Sequence, residues 1–307
     1  MTPMLQNVLD RPAVESRGET SSAAFDYERA FCRNIGLITP AEQEKLRRAH
    51  VAIIGMGGVG GLHLATLARL GIGGFTIADP DSFELANFNR QYGARLDTIG
   101  RNKAEVMADE LRRINPEAKL RVMTDPIGPD NVGVFLEQAD VLIDGVDFFA
   151  IDVRRLVFRE AAERGMWAIT AGPIGFSTAW LSFDPAGMTF DRYFGLTDRM
   201  SRLEQLVAFA IGLTPRASQR HYMDLGKVDL AARSGPCASL ACQLCAGAAA
   251  GETLKVLLGR GRLRPAPCYA QFDMYLSRLY QGRVYFWMRP IMALVRKRLV
   301  RRFAASR

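Results

Sequence analysis

An apolar run that leads directly into a glycine-rich loop constrains the fold of this chain more than any other feature. Residues 51–54 are apolar, and Gly55, Gly57 and Gly60 follow in the spacing G-x-G-x-x-G, with Gly58 between them. Glycines at these positions allow a tight turn and let a phosphate approach backbone amides at the start of the next helix. The segment therefore predicts a strand, a phosphate-binding loop and a helix in succession.

An acidic residue after the next apolar run extends this pattern. Asp79 follows residues 75–78 and lies 19 positions after Gly60, where a carboxylate accepts hydrogen bonds from ribose hydroxyls. The order of these elements indicates a nucleotide site; the alternative is a glycine turn that only packs the helix on the strand. The chain has no G-x-x-x-x-G-K-[ST] motif, which argues against a P-loop NTPase.

A basic and amide cluster behind the acid discriminates between nucleotides. It consists of Asn87, Arg90, Gln91 and Lys103, and it would place cations where a triphosphate lies. The cluster favours ATP bound for chemistry at its α-phosphate over NAD bound for hydride transfer. Taken alone, Arg90 and Gln91 could equally be loop residues, and Lys103 a solvated residue in the first turn of a helix, where a cation is mildly disfavoured.

Strand and helix patterns alternate from the first strand onwards. The predicted strands are residues 51–54, 75–78, 120–123, 141–143 and 167–171, and the predicted helices are residues 62–70, 103–114, 132–137 and 153–164. This alternation predicts an α/β fold, a Rossmann-like, doubly wound and mainly parallel sheet. Residues 176–183 are strand-like and are predicted to begin an antiparallel C-terminal extension.

Composition divides the chain into three parts. Residues 1–24, rich in Ser, Thr, Pro and charge, predict a flexible N-terminal arm. Residues 25–282 predict one large α/β domain that starts with two short helices. Within it, residues 184–236 break the alternation and residues 237–258 form a helix of small side chains, suited to a buried position or a dimer interface. Residues 283–307 form a basic tail.

The tail carries the whole excess of positive charge. The net charge is +8, and 8 of the 40 basic residues lie within residues 283–307, so the remaining 32 equal the 32 acidic residues. This distribution argues against a generally basic nucleic-acid-binding surface. An apolar stripe of Met292, Val295, Leu299 and Phe303 makes the tail amphipathic. It predicts either a docked terminal helix with a solvated basic face or a contact with a membrane surface, RNA or an acidic partner.

No apolar run approaches the roughly 18 residues of a membrane-spanning helix, and the N-terminus lacks a signal-peptide pattern. Five cysteines, an odd number, then predict reduced thiols and a cytoplasmic protein.

The ordered motifs resemble those of the ThiF/MoeB/HesA adenylyltransferases, relatives of the ubiquitin-activating enzymes. The resemblance extends over roughly residues 27–260 and rests on the glycine loop, Asp79, the Asn-x-x-Arg-Gln pattern at residues 87–91, Lys103 and the Asp-Gly-Val-Asp sequence at residues 144–147. It implies a homodimer that uses ATP and Mg²⁺ to activate a carboxylate as an acyl-adenylate. In this family the substrate is often the C-terminal glycine of a ubiquitin-like or sulfur-carrier protein, and residues 184–236 would form the crossover and substrate-facing loop.

The resemblance also implies roles for individual residues. Arg90, Gln91 and Lys103 would contact phosphates, and Asn87 would fix the loop or contact phosphate. Arg33, in the Phe-Cys-Arg-Asn segment, would enter the neighbouring subunit's site. An ionised carboxylate needs no general base, so catalysis would consist of positioning and electrostatic stabilisation.

The second strand-end aspartate is the implied magnesium ligand. Asp147 would provide the Mg²⁺ carboxylate, although it could instead cap the helix that begins near Ile151; Asp144 is the weaker candidate. The chain departs from the family at Phe148, where Asn is usual, which removes one polar nucleotide contact.

The cysteines permit two interpretations. Cys242 and Cys245 form a lone C-x-x-C, whereas many relatives hold a structural zinc with two such pairs. His221 and Cys237 could complete four ligands, but a structural zinc is not expected, and small buried residues on a packed helix are preferred. Cys237 lies near the place where transfer-competent relatives carry a reactive cysteine, so a thioester or persulfide role stays open.

Other functions remain open at this level. One is an adenylation-driven dehydratase of a carboxylate-bearing modified tRNA adenosine, or an enzyme that activates short peptides. Another is an NAD(P)-dependent oxidoreductase, although no Tyr-x-x-x-Lys pair is evident. The last is a non-catalytic scaffold subunit, against which the full set of candidate ATP residues counts.

Overall fold

An eight-stranded mixed sheet organises the chain, in a computed structural model that describes residues 24–229 and 232–305. The strands are β1 His50–Ile54, β2 Gly74–Ala78, β3 Lys119–Met123, β4 Val141–Asp144, β5 Trp167–Ile174, β6 Ser177–Phe183, β7 Cys268–Asp273 and β8 Arg278–Arg283. Their order is β3-β2-β1-β4-β5-β6-β7-β8. Neighbours from β3 to β5 are parallel, and those from β5 to β8 are antiparallel. The predicted mainly parallel α/β sheet with an antiparallel C-terminal extension is confirmed.

The helices alternate with the parallel strands. Among the described residues they are α1 Tyr27–Phe31, α2 Pro40–Arg48, α3 Gly60–Arg69, α4 Lys103–Ile114, α5 Val132–Leu136, α6 Ile151–Glu163, α7 Phe190–Phe194, α8 Arg202–Leu213, α9 Ser239–Leu258 and α10 Arg289–Ala305. None of these helices is long and apolar enough to cross a membrane.

Both faces of the sheet are buried, as a doubly wound fold requires. In β1, Ala52 and Ile54 join a core shared with α5, α6, α7 and α8. Val51 and Ile53 point to the other face and join a core with α3, α4 and α9. Each fully buried aliphatic side chain contributes about 1.5–3 kcal/mol, so successive residues of one strand hold helix layers on opposite faces.

Strands β7 and β8 are the elements that the sequence pattern does not reveal. β8 is an edge strand whose residues are exposed or half-buried, so it lacks the apolar alternation by which strands are recognised. The α9 helix begins at Ser239, two residues after the predicted start at residue 237. The predicted N-terminal arm, apart from its last residue, lies outside the described part of the chain.

The basic tail forms α10, which packs against α8. Met292 contacts the core there, but Val295, predicted on the same stripe, is 39% exposed. The half-buried side of the helix instead includes Arg296 and Val300. The side chain of Phe303 lies outside the described set.

Candidate nucleotide site

The glycine loop lies where β1 ends, against the turn that follows β4. Gly55 has a φ of +83°, and a β-carbon there would overlap the Gly145 carbonyl oxygen. A β-carbon on Gly60 would overlap the carbonyl oxygen of Gly55. These contacts leave no room for side chains, because backbone from two strand ends converges at the start of α3. Such a loop at the carboxyl edge of parallel strands is where α/β sheets bind phosphates.

Asp79 is placed at the end of β2, as predicted, and is tied to the glycine loop. Its carboxylate accepts hydrogen bonds from the backbone N–H groups of Met56 at 2.6 Å and Asp81 at 2.9 Å. Burial raises the pKa of this carboxyl above its usual value, although both hydrogen bonds and Lys103 oppose the effect. The acid therefore fixes the glycine loop against the end of β2, and its contact with a ribose stays a prediction.

Gln91 and Arg90 line the loop on its outer side. A β-carbon on Gly57 would lie 3.7 Å from the Gln91 amide, and one on Gly58 would lie 3.8 Å from Cγ of Arg90. Oε1 of Gln91 is buried and has no hydrogen-bond partner among the described residues. Arg90 donates to the Ala86 carbonyl and to Oδ1 of Asn89, both at 2.9 Å. The structure thus brings the two predicted phosphate contacts to the predicted loop.

Lys103 is a buried cation rather than a solvated one. It is the first residue of α4, its side chain is 9% exposed, and its Nζ lies 3.1 Å from Oδ2 of Asp81. The side chain of Asp81 is 68% exposed, so its carboxylate is largely hydrated and does not fully compensate the buried ammonium. An anionic ligand at this edge of the sheet would find a cation already desolvated there.

Asn87 fixes the loop that carries Arg90. Its Oδ1 accepts a hydrogen bond from the Glu84 N–H at 3.0 Å, and its carbonyl accepts from the N–H groups of Arg90 and Gln91. The Asn87 side chain therefore holds the loop, and its contact with phosphate stays a prediction.

The two aspartates after β4 have different environments. Asp144 is buried; it accepts from Nε of Arg154 at 2.7 Å, from the Thr170 hydroxyl at 2.7 Å and from the Val146 N–H at 3.0 Å. Asp147 is exposed, and among the described residues its carboxylate has one hydrogen bond, which Oδ1 accepts from the Phe149 N–H at 2.7 Å. Asp144 is therefore a structural ion-pair partner, and Asp147 is the carboxylate that can take a ligand.

Arg154 holds this turn in place, a function that the sequence analysis did not assign. Besides Asp144, it donates to the carbonyls of Val146 and Asp147, and its guanidinium lies 4.5 Å from the ring centre of Phe209. The only sequence signal is an arginine on the apolar face of α6. Phe148 packs its ring 5.4 Å from that of Phe209, so the residue that departs from the family pattern serves the core.

These residues fit a nucleotide and one magnesium ion. The bare loop, the unpartnered Gln91 oxygen and the buried Lys103 suit phosphate and amide contacts. Among the described residues, no group of three or more His, Cys, Asp or Glu side chains could hold a metal. Mg²⁺ typically takes one or two carboxylates together with substrate phosphates. The single carboxylate of Asp147 would satisfy this requirement.

The thiols pair differently from the C-x-x-C pattern. Sγ of Cys237 lies 3.8 Å from Sγ of Cys242, whereas Cys245 is buried against the Thr178 hydroxyl at 3.1 Å. The hydrogen bond from Cys242 lowers the pKa of Cys237 to about 7, against burial and with help from the positive charge of Arg90. A β-carbon on Gly58 would lie 3.2 Å from Sγ of Cys242, so this thiol pair lies beside the nucleotide loop.

Arg33 is placed far from these residues. It is exposed on the 3₁₀ turn Cys32–Asn34, and the adjacent Asn34 donates to the Leu70 carbonyl at 3.3 Å, in the connection that enters β2. That connection lies at the amino end of β2, whereas the glycine loop lies at the carboxyl end of β1. The structure therefore does not bring Arg33 to the site of its own chain.

A groove of about 520 Å³ opens between α9 and the antiparallel part of the sheet. Its lining consists mostly of apolar or small residues from α9, β6, β7 and β8: Thr178, Trp180, Leu240, Gln243, Leu244, Gly247, Ala248, Phe272 and Leu279. The same first turns of α9 carry Cys242 against the glycine loop, so the groove begins next to the nucleotide site.

Proteins of known function share parts of this chain. It is 41% identical over 132 residues to tRNA threonylcarbamoyladenosine dehydratase of Haemophilus influenzae, covering 42% of this chain and 51% of that protein. It is 35% identical over 108 residues to the probable adenylyltransferase/sulfurtransferase MoeZ of Mycobacterium tuberculosis, covering 35% of this chain and 28% of that protein. The chain thus spans about half the length, or less, of these curated relatives.

Solved structures share the fold. The Escherichia coli dehydratase TcdA in complex with ATP superposes with a TM-score of 0.55 at 23% identity, covering 76% of this chain and 95% of that one. Escherichia coli MccB with AMPCPP and MccA gives a TM-score of 0.63 at 19% identity, covering 85% and 72%.

A family model also matches most of the chain. The ThiF family model matches residues 31–284, a span that runs from the segment containing Arg33 through the whole sheet. The chain therefore belongs to the ThiF family, whose members include ATP-using adenylyltransferases.

Proposed function

We propose that this protein is an ATP-dependent adenylyltransferase. A carboxylate oxygen of the substrate attacks the α-phosphorus of ATP, a new phosphorus–oxygen bond forms, and the bond to the bridging oxygen breaks so that pyrophosphate leaves. The observation that carries the proposal is that the bare backbone of Gly57 and Gly58 lies beside Arg90 and Gln91. The Gln91 amide oxygen has no partner among the described residues, and Lys103 adds a buried cation beside Asp81.

The charged residues of the site have different functions in this reaction. Arg90 and Lys103 would neutralise charge on the phosphates, and Asp147 would hold Mg²⁺, which would supply further positive charge. Because two anions must meet, these fixed charges lower the barrier more than any proton transfer could. Asp79 and Asp144 keep the loop and the β4 turn in the required geometry.

The proposed substrate is the C-terminal carboxylate of a ubiquitin-like or sulfur-carrier protein. The support is the apolar groove between α9 and β6–β8, which begins beside the nucleotide loop and exposes Leu240 and Leu279. A small metabolite would need no such surface so close to the reacting phosphate, whereas a folded carrier needs an apolar surface on which to dock. After activation, the thiolate of Cys237 would attack the carbonyl carbon of the acyl-adenylate, and AMP would leave as the thioester forms.

The test is ATP–pyrophosphate exchange with a panel of small proteins that end in Gly-Gly. Leu279→Glu should raise the KM for the carrier at least about tenfold, because a charge at a docking surface costs more than 1.4 kcal/mol. Val134→Glu, at a similarly exposed apolar residue on α5, should leave the KM unchanged. Exchange that is insensitive to both changes would contradict groove docking.

The homodimer is also a proposal. The distance of Arg33 from the loop of its own chain is compatible with action on a second subunit, and the neighbouring Ile35 and Leu37 are exposed apolar residues suited to an interface. Sedimentation at several concentrations, combined with mixed dimers of Arg33→Ala and Asp147→Ala chains, tests it. Recovery of about one active site per mixed dimer is expected if Arg33 acts in trans.

A second candidate is the adenylation-driven dehydratase of a carboxylate-bearing tRNA adenosine. The observation that favours it is the 41% identity to the Haemophilus influenzae dehydratase. Incubation with ATP and tRNA that carries the modified adenosine, followed by mass analysis of the nucleosides, decides between the substrates. Loss of water from the nucleoside would replace the carrier-protein proposal.

A further inference from the structure

Helix α10 is docked along one side only. Met292 contacts the core on the α8 side, Arg289 donates to the Arg192 carbonyl at 3.1 Å, and Nη1 of Arg296 lies 3.7 Å from Sδ of Met200. These contacts come from positions one turn apart, so they fix which side of the helix faces the protein. The same contacts therefore determine which side of α10 faces away from the protein.

Apolar side chains are exposed on that opposite side. Ile291 is 59% exposed and Leu294 53% exposed, and Trp287, just before the helix, is 58% exposed. The Trp287 ring stacks on that of Tyr285 with centroids 5.7 Å apart. Four large apolar or aromatic side chains, including that of Tyr285, are therefore exposed at this end of the helix. If another part of the protein covered it, they would be buried.

Cations continue the same surface toward the C-terminus. Exposed basic residues in the C-terminal half of α10 are Lys297, Arg298, Arg301 and Arg302. Among the described residues none of these four forms an ion pair, and residues 283–307 contain no Asp or Glu, in a chain whose remainder is formally neutral. These four side chains therefore form a positively charged surface.

The apolar and the cationic groups share one face. Leu294, Arg298 and Arg301 are spaced by four and three residues, which places them one above another on a helix. A surface that combines an aromatic pair, aliphatic side chains and arginines matches the boundary of a bilayer. There aliphatic and Trp side chains enter the headgroup–acyl region, and the cations bind lipid phosphates.

We propose that α10, with Tyr285 and Trp287, docks the protein peripherally on a bilayer that carries anionic headgroups. An RNA backbone would use the cations but offers the outward Ile291 and Leu294 no apolar surface. The proposal does not depend on adenylation. Because α10 lies on the α8 face of the sheet and the groove lies on the α9 face, a membrane-bound molecule would keep its groove open to solution.

The experiment is co-sedimentation of the full chain with vesicles of phosphatidylcholine alone and of phosphatidylcholine mixed with phosphatidylglycerol. The wild type should bind only the anionic vesicles, and added salt should weaken the binding. Each cation near an anionic surface is worth roughly a fivefold change in affinity. The double change Arg298→Glu with Arg301→Glu should therefore weaken binding at least about twentyfold.

Matched controls separate insertion from net charge. Leu294→Asp should weaken vesicle binding about tenfold or more, since it removes an inserted apolar group and adds a negative charge. Val134→Asp, at 51% exposure on α5, adds the same charge and should have almost no effect. Arg69→Glu with Arg159→Glu, two exposed cations of the body, controls for the double charge reversal; circular dichroism verifies that each variant folds.

Three outcomes would overturn the proposal. The first is the absence of binding to anionic vesicles. The second is binding that Leu294→Asp weakens no more than Val134→Asp does, which would indicate charge attraction without insertion. The third is selective binding of an RNA oligomer or an acidic polypeptide, with the vesicles unbound, that depends on Arg298 and Arg301.

Discussion

The nucleotide loop and the α9 groove are built on different physical constraints, although helix α9 contributes to both, with Cys242 against Gly58 and Leu240 lining the groove. The loop depends on backbone in close contact with backbone: Gly55, Gly60 and Gly145 approach so closely that none can carry a side chain. The groove depends on side chains, with Leu240, Phe272 and Leu279 on separate elements. Close backbone contacts leave little freedom in the shape of the loop, so few cofactors fit it. A surface made of side chains can change by substitution, so its partner can differ from one protein to another.

Two glycine substitutions should show this contrast most strongly. Gly60→Ala forces a β-carbon into the Gly55 carbonyl oxygen and should cost at least about 4 kcal/mol, enough to unfold the loop or the whole domain. Gly251→Ala, in α9 with nothing within 4 Å of the new carbon, should instead stabilise by about 0.5–1 kcal/mol. Chemical denaturation monitored by circular dichroism measures both. Equal effects at the two positions would show that the loop is not defined by close backbone contact.

The two aspartates after β4 provide a second comparison, within the nucleotide half of the molecule, that is, the parallel strands β1–β5 and their helices. Asp144→Ala leaves Arg154 buried and unpaired and should destabilise the fold by about 3–5 kcal/mol. Asp147→Ala should leave the melting temperature almost unchanged, because the Asp147 carboxylate is exposed. It should nevertheless lower ATP–pyrophosphate exchange by about 100-fold or more. If Asp144→Ala were instead stable and inactive, Asp144 would be the ligand-binding carboxylate and Asp147 the structural one.

A buried histidine predicts how the nucleotide half responds to acid. His63 on α3 is fully buried, and neither ring nitrogen has a hydrogen-bond partner within the part of the chain that the structure describes. Desolvation lowers its pKa to about 4, against an opposing effect of Asp144. The folded protein keeps the ring neutral while the unfolded chain binds a proton near pH 6.5. Stability is therefore complete above pH 6.5 and should fall by about 3 kcal/mol as the pH drops toward 4.

The variant His63→Leu tests this dependence. It should be neutral or stabilising at pH 7, since it removes two unsatisfied polar atoms, and it should flatten the fall in unfolding free energy between pH 6.5 and pH 4. An unchanged slope would assign the acid sensitivity to other groups.

The smallest predicted effect concerns the thiols at the junction of the two regions. Alkylation of Cys237 should follow a titration with a midpoint near 7, because the Cys242 hydrogen bond and Arg90 stabilise the thiolate. Cys242→Ala should shift the midpoint upward and slow the reaction at pH 7 about tenfold. Peptide mass analysis in a Cys32→Ser background, which removes the exposed thiol, measures it. A midpoint near 8.5 in the parent protein would contradict the pairing.

The sequence predicts the nucleotide half more completely than the rest, for a physical reason. The helix at residues 103–114 and the strand ends around Gly55 and Asp79 follow from local patterns of apolar residues, glycines and caps. The antiparallel half depends on long-range contacts. The polar residues of β8 acquire a strand conformation only because β7 is adjacent, and no local pattern signals that.

The candidate site shows the same limit at single residues. The motif predicted that Arg90, Gln91 and Lys103 would gather at the loop. It could not assign Arg154 to the β4 turn, because that contact joins α6 to a strand end through a buried side chain. Nor could spacing show that Cys242 pairs with Cys237 and not with Cys245, since Cys245 turns toward Thr178 on β6.

The most direct test of the central claim is calorimetric titration of the wild type and of Asp147→Ala with ATP in the presence and absence of Mg²⁺, and with NAD⁺. We expect Mg²⁺-dependent ATP binding by the wild type, its loss in Asp147→Ala, and no binding of NAD⁺ by either protein. Tight binding of NAD⁺, or ATP binding that is indifferent to both Mg²⁺ and Asp147, would contradict the assigned site.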